Sequence, residues 1–144
     1  MYKKILVPVD GSELSDKAAK GAAAFAKPLG AEVVVMTVIE PYSYTNLSEY
    51  RPESIEQYDS RVRDQASDML EQLHEMFSQE GIKVSECARK SFSPSEAIME
   101  VAEEFGCDLI FMASHGRKGL AAVLLGSETQ KVLTHSKIPV MVFR

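Results

Sequence analysis

The sequence lacks the features by which nucleic-acid-binding, membrane and secreted proteins are usually recognised. Its net charge is −5 over 144 residues, and no basic run is longer than a pair such as Lys3-Lys4. A nucleic-acid surface needs clustered Lys and Arg to neutralise phosphates, so we expect no nucleic-acid partner. No apolar run approaches the roughly 18 residues of a membrane-spanning helix, and Met1 leads into a strand pattern without room for a signal peptide. We therefore expect a cytoplasmic protein with no membrane insertion.

Patterns of catalytic and metal-binding residues are also scarce. The histidines show no pair at metal-ligand spacing. Cys87 and Cys107 lie in or beside apolar runs, which indicates inert core thiols. There is no P-loop of the Gly-x4-Gly-Lys-Ser/Thr type and no G-x-S-x-G elbow, and sequence neighbours such as Ser114 and His115 seldom align a nucleophile with its base. These absences argue against dedicated catalysis.

What the sequence does contain is an alternation of short β-branched runs with longer helical patterns. This alternation predicts βαβ units and a parallel sheet, and right-handed crossovers then give an α/β fold. We expect one three-layer, doubly wound domain over residues 1–144, with a five-stranded parallel sheet. Ser54 and Ser93 each begin a capping box, the pattern that opens many helices. The predicted strands span residues 5–9, 32–39, 83–89, 109–113 and 140–143, and the helices begin near Ser12, Ser54, Ser93 and Ser127.

The glycine-punctuated stretch after the fourth predicted strand is the main candidate for a ligand site. Ligands of an open α/β sheet sit beyond the carboxyl ends of the strands where the winding reverses, here after strands one, two and four. Gly116 permits a close approach of backbone amides to a ligand. Gly126-Ser127 begins a predicted helix, whose free N–H groups and dipole favour an anion, and Arg117 adds positive charge. The stretch therefore predicts a phosphate site.

Each of these features also has a plainer interpretation. Ser127-Glu128-Thr129-Gln130 is itself a capping box, so Ser127 would only cap its helix. Asp10, at the end of the first strand, would only form a turn. The tyrosines of segment 40–52 would form a lid over the ligand or, the interpretation we favour, a surface loop packed on its own helix or on a partner subunit.

Two segments resemble a known family. Residues 5–12 read Ile-Leu-Val-Pro-Val-Asp-Gly-Ser, and His115-Gly116 is followed by nine residues and then by Gly126-Ser127. The first resembles the opening strand and turn of the universal stress protein A family, and the second its nucleotide signature, Gly-x2-Gly-x9-Gly followed by Ser or Thr. The resemblance covers the whole chain. It implies a Rossmann-like, adenine nucleotide alpha hydrolase-like domain that binds ATP, with or without Mg²⁺, or AMP or ADP. It also implies a regulatory or stress-response module with at most slow ATP hydrolysis.

The resemblance further implies roles for individual residues. Asp10 would hold the ribose hydroxyls, residues near it in the first two strands would line the adenine pocket, and the glycine stretch would face the phosphates. The last strand, Val140 to Phe143, would pair two subunits into a homodimer. The implied ligand-binding positions are Pro8, Val9, Asp10, Val38, Met112, Ala113, His115, Gly116, Arg117, Gly126, Ser127, Glu128 and Thr129.

Two positions depart from the family pattern. Ala113 stands where the family has a glycine, and its methyl group would crowd a close phosphate and would be strained at a positive φ. Glu128 falls in the first turn of the last helix, where its charge favours the dipole by about 0.3–1 kcal/mol but would oppose a bound triphosphate. These residues support an alternative, a family member that binds no nucleotide and acts as a protein-interaction homodimer. A nucleotidyl transferase of related fold is disfavoured, because the His-x-Gly-His type of motif is absent.

Overall fold

A five-stranded parallel sheet forms the middle layer of the structure. The computed structural model describes residues 1–43, 53–116 and 125–144. Its strands are β1 (Lys4–Pro8), β2 (Glu32–Ile39), β3 (Val84–Lys90), β4 (Leu109–Ala113) and β5 (Val140–Phe143), in the order β3-β2-β1-β4-β5. Its helices are α1 (Glu13–Leu29), α2 (Ile55–Gln79), α3 (Pro94–Glu104) and α4 (Ser127–His135). The predicted α/β fold and parallel sheet are confirmed, with each strand within one residue of its expected limits.

Alternating side chains of the strands divide the core into two clusters, one on each face of the sheet. Ile5 and Val7 pack with the α1 and α2 side chains in the first cluster. Leu6 and Val34 pack with α3 and α4 in the second cluster. Ile5, Leu6 and Val7 are fully buried, as expected for a central parallel strand that reads as a continuous apolar run. Each such side chain contributes about 1.5–3 kcal/mol of burial free energy, which fixes the register of β1 between its neighbours.

The winding of the chain reverses between β1 and β4, which are neighbours in the sheet but far apart in sequence. From β1 the chain moves through α1 and β2 to β3, and it then crosses to the other side of β1 to form β4 and β5. The carboxyl ends of β1 and β4 therefore adjoin at the point where such sheets bind ligands. This is the predicted switch point.

The four helices of the described residues begin in two different ways. Ser12 and Ser54 cap α1 and α2: their hydroxyls accept hydrogen bonds from amides three residues later, and Ser54 forms the complete predicted capping box with Gln57. The capping box predicted at Ser93 is wrong, although Pro94 takes the first helical position as expected. The Ser93 N–H already donates to Ser91 Oγ at 3.0 Å, so it is not available to Glu96, and the Ser93 side chain makes no cap hydrogen bond.

The two edges of the sheet differ in chemistry. β3 carries mostly exposed side chains, and two of its charged residues form ion pairs with neighbouring helices: Arg89 with Glu104 and Lys90 with Asp59. β5 is short and apolar, and all four of its residues, Val140–Phe143, are half-buried. One edge is thus polar, and the other is apolar.

Cys107 confirms the expectation of an inert core thiol. It is buried in the second cluster, and burial raises the pKa of its thiol to about 11, so the thiol stays protonated at neutral pH. Cys87 lies half-buried in β3 at the margin of that cluster, so it is not a full core residue. No helix in the described ranges is long and apolar enough to cross a membrane.

Candidate functional site

The loops that follow β1 and β4 meet at the switch point. A methyl group placed on Gly116 would collide with a carboxylate oxygen of Asp10. The backbone after β4 thus lies directly against the carboxylate after β1, and any larger residue at position 116 would force that carboxylate to move. The fold therefore brings Asp10 and Gly116 into contact, although they are more than 100 positions apart in the sequence. Both residues were predicted from the sequence to belong to one ligand site.

Asp10 is held by hydrogen bonds at the start of α1. Its Oδ1 accepts from the Ser12 N–H at 3.0 Å, and its own N–H donates to Ser15 Oγ at 3.1 Å. The interpretation of Asp10 as a turn former is therefore confirmed, and the turn fixes the carboxylate beside Gly116. Sequence analysis missed Ser15, a buried polar residue on the otherwise apolar face of α1. A serine among alanines on that face was the available signal.

The first turn of α4 lies against the loop after β4. The Gly126 N–H donates to the Ser114 carbonyl at 2.7 Å. A methyl group on Gly126 would come within 3.1 Å of His115 Cα, tighter than ordinary van der Waals contact. Gly126 therefore allows α4 to begin close to the switch point, as the glycine spacing predicted.

The capping-box interpretation of Ser127 is wrong. Gly126 is the N-cap residue of α4 and has no side chain to cap with, while Ser127 is already the first helical residue. Within the described ranges, the Ser127 hydroxyl and the amides of Ser127, Glu128 and Thr129 have no hydrogen-bond acceptor. A helix that starts with free amides favours an anion. The free amides are what a phosphate site at this position requires.

Thr129 and Ser114 are buried beneath the site. The Thr129 hydroxyl donates to the Ala113 carbonyl at 3.0 Å, so a phosphate contact by Thr129 would come from its main-chain N–H. Ser114 Oγ and His115 Nδ1 lie 3.2 Å apart, so these neighbours do come within hydrogen-bonding distance. Ser114 is only 2% exposed, however, and its hydroxyl is shielded from a substrate. The pair therefore supports the turn and does not form an accessible nucleophile.

The methyl group of Ala113 does not lie where it would crowd a phosphate, as the sequence suggested it would. Its methyl group belongs to the first cluster, on the face of α1 and α2, because side chains alternate along β4. All positive φ angles in the described part of the chain belong to glycines, so the expected backbone strain at Ala113 is absent. The methyl group thus faces away from the layer that contains α4.

Glu128 does lie in the first turn of α4, as predicted. Its Oε1 is 3.7 Å from Lys131 Nζ, so the side chain extends along the helix away from its start. Its Oε2 is shielded from solvent and has no hydrogen-bond partner in the described ranges. An oxygen in that state is unfavourable by itself, although the carboxylate as a whole belongs to the first turn of α4, where the helix dipole favours a negative charge.

The four residues expected around an adenine are not all on one face. Val38 and Met112 pack on the second cluster, and Pro8 follows the alternation of Leu6 onto the same face. Val9 packs in the first cluster, its N–H donates to the Met36 carbonyl at 2.8 Å, and its carbonyl accepts from Thr37 Oγ1 at 2.7 Å. Three of the four expected positions therefore share the face on which α4 packs.

The segment after β2 packs on its own helix where the structure describes it. The Tyr42 ring meets the Tyr58 ring edge-on at 5.6 Å, and the Tyr58 hydroxyl donates to the Glu40 carbonyl at 2.7 Å. Burial is the main cause that raises the pKa of Tyr58, which keeps this donor protonated. This agrees with the surface-loop interpretation for Tyr42. Tyr44 and Tyr50, and Arg117 of the glycine stretch, lie outside the described residues.

Comparison with known proteins gives one consistent result. The model of the universal stress protein family matches residues 1–144. The universal stress protein MJ0577 of Methanocaldococcus jannaschii is 31% identical over 156 residues, covering 100% of this chain and 96% of that protein. A solved structure of MJ0577 superposes with a TM-score of 0.84 and 33% identity over 99% of this chain and 96% of that one.

Two more distant structures share the fold and contain adenine nucleotides. A universal stress protein in complex with cAMP has a TM-score of 0.73 at 24% identity, covering 99% of this chain and 97% of that chain. The universal stress protein from Archaeoglobus fulgidus in complex with dAMP has a TM-score of 0.72 at 19% identity, covering 99% and 98%. At these identities the likeness extends to the fold alone.

Proposed function

The protein belongs to the universal stress protein family, and from this membership we propose that it is an adenine-nucleotide-binding regulatory or stress-response module of the cytoplasm. The proposed ligand is ATP, with AMP and ADP as further candidates. The proposed assembly is a homodimer, in which residues 1–144 form one domain of each subunit. The family is generally non-catalytic, and we propose at most slow ATP hydrolysis for this member.

The contact between Asp10 and Gly116 supports this proposal most strongly. It joins the two loops of the switch point, where open α/β sheets bind ligands. The Asp10 carboxylate would accept hydrogen bonds from the ribose hydroxyls. The free first-turn amides of α4 and the Ser127 hydroxyl would face the phosphates. The cAMP and dAMP complexes of proteins with this fold support an adenine nucleotide as the ligand class.

The other expected positions follow from this arrangement. Pro8, Val38 and Met112 would form the adenine side of the site on the α4 face. Gly116 and Gly126 would let the backbone approach the phosphates. The described residues contain no group of three or more His, Cys, Asp or Glu side chains that could hold a metal ion.

Isothermal titration with ATP tests the proposal. We expect saturable binding, and Asp10→Asn should weaken it by about tenfold, because a hydrogen bond to a charged acceptor is replaced by a neutral one. The asparagine still accepts the Ser12 N–H, so the turn is kept. Asp16→Asn, an exposed acidic residue in the first turn of α1, is the matched control and should bind like the wild type. No measurable affinity at millimolar ATP, with no nucleotide retained in native mass spectrometry, would reject the proposal.

One observation favours a second candidate function. Glu128 places a negative charge in the first turn of α4, which supports a family member that binds no nucleotide and acts as a protein-interaction homodimer. The apolar edge strand β5 is the proposed subunit contact in either case. Analytical ultracentrifugation should show a dimer for the wild type and a monomer for Val142→Glu. A dimer without ATP affinity would favour this candidate over the first.

A further inference from the structure

A groove between α3 and α4 is lined by a serine hydroxyl that hydrogen-bonds to no other part of the described chain. The groove has a volume of about 410 Å³, within the range of small-molecule sites, and it is separate from the Asp10–Gly116 contact. Its lining residues are Ser93, Ser95, Glu96, Met99, Lys131 and His135.

The unsatisfied hydroxyl belongs to Ser95. In the described ranges, the buried polar residues are Ser15, Thr37, Ser95, Ser114 and Thr129. The side chains of the other four each lie within hydrogen-bonding distance of a partner. Ser95 is 2% exposed and has no hydrogen bond to any described residue. Because Ser95 lines the groove, its hydroxyl can take a partner only from the groove, either water or a polar group of a bound molecule.

The start of α3 adds two more free donors to the same place. Ser93 makes no side-chain cap hydrogen bond, and Pro94 has no N–H. The N–H groups of Ser95 and Glu96 lie in the first turn of α3, where the helix itself offers them no carbonyl acceptor. No described group outside the helix accepts from them either. One hydroxyl and two amides therefore lie at the positive end of the α3 dipole.

Lys131 of α4 supplies a cation across the groove. Lys131 and His135 are one turn apart on α4, and both line the groove. Lys131 pairs with Glu128 at 3.7 Å, an exposed contact of the kind that contributes little and can be exchanged. Glu96 also lines the groove and repels an anion, although it is exposed and free to turn towards solvent.

We propose that this groove binds a small phosphomonoester, with the phosphate between the start of α3 and Lys131 and the organic part against Met99. A phosphate offers the several acceptor oxygens that one hydroxyl, two amides and an ammonium require. A fully apolar ligand would leave the Ser95 hydroxyl without a partner. The proposal does not depend on the nucleotide site, which lies at the start of α4.

The test is an amide-resolved NMR titration of the full chain with glycerol 2-phosphate, and with glycerol as the uncharged control. We expect binding in roughly the millimolar range, with the largest shifts at the Ser95 and Glu96 amides and none with glycerol. Ser95→Ala should weaken binding by about tenfold, through loss of a hydrogen bond to a charged group. Glu96→Gln should tighten it, because a repulsive charge is removed.

Matched variants distinguish binding in this groove from a nonspecific effect of charge and from binding at the nucleotide site. Lys131→Gln should weaken phosphomonoester binding by about tenfold. Lys17→Gln, which breaks the comparable pair of Lys17 with Glu13 at 3.6 Å on α1, should leave it unchanged. Shifts at Ser127 in place of Ser95, with displacement by ATP, would mean that the probe occupies the nucleotide site and would overturn the proposal. Equal shifts with glycerol, or no effect of Ser95→Ala, would overturn it as well.

Discussion

The helices on the two faces of the sheet differ in how their first turns are satisfied. α1 and α2 begin with serine hydroxyls, those of Ser12 and Ser54, that accept the first amides. α3 and α4 begin at Ser93 and Gly126 without any side-chain cap. Because each of the described helices follows a parallel strand, all four helices start at the carboxyl ends of the strands. Capping therefore satisfies first-turn amides on one face, whereas the uncapped starts on the other face keep free donors at both places where we propose ligands.

The largest expected effect comes from adding a side chain to an uncapped start. Gly126→Val should lower the free energy of unfolding by about 1–3 kcal/mol, because its Cβ meets the His115 backbone and the Gly126 N–H is tied to Ser114. It should also abolish ATP binding by displacing the start of α4. Urea unfolding and calorimetric titration measure the two effects. A variant with wild-type stability would show that α4 can move away from His115 at little cost.

A smaller effect tests the capped and uncapped serines directly. Ser12→Ala and Ser54→Ala should each lower the free energy of unfolding by about 0.5–2 kcal/mol, because each removes a cap hydrogen bond. Ser93→Ala occupies the same N-cap position but should cost only a few tenths of a kcal/mol, since its side chain caps nothing. Urea unfolding of the three variants measures the contrast. Equal losses for all three would remove the distinction between the two faces.

The smallest effect concerns the charges in the first turns. Glu13→Gln on α1 and Glu128→Gln on α4 should each cost about 0.3–1 kcal/mol of stability, because each removes a favourable interaction with a helix dipole. Only Glu128→Gln should raise ATP affinity, since only α4 starts beside the proposed phosphates. Parallel unfolding and ATP titrations of both variants check this. A gain in affinity for Glu13→Gln would point to a general charge effect.

Local patterns were sufficient to predict the fold. The strands over residues 32–39, 109–113 and 140–143 have their predicted limits, because buried parallel strands are continuous apolar runs between turn signals. The placement of Asp10 near Gly116 followed from the order of elements, since adjoining strand ends are fixed by topology. The side to which the Ala113 methyl group points could have been predicted from the alternation of Leu109 and Phe111.

The sequence predicted the capping box at Ser54 correctly but gave the same pattern at Ser93 and Ser127, where no box forms. The Ser93 box fits the pattern, yet Ser91 takes the amide that the box needs. The Ser127 box fails because the N-cap position falls on Gly126, one residue earlier than the pattern requires, and glycine has no side chain. At Ser93 the competing partner is set by the path of residues 91–93, which a four-residue pattern does not describe. The groove between α3 and α4 depends on tertiary packing in the same way.

The unlike edges of the sheet limit how many copies could join through it. Exposed strand edges invite further strands, and charged side chains discourage such addition. β3 is charged and largely engaged in ion pairs, whereas β5 is short and apolar. Growth by placing the β5 edge of one copy on the β3 edge of the next, which would give an open-ended filament, is therefore disfavoured. Pairing of β5 with β5, the subunit contact proposed above, would occupy the apolar edge of the described sheet in each copy, so such an assembly would close at two.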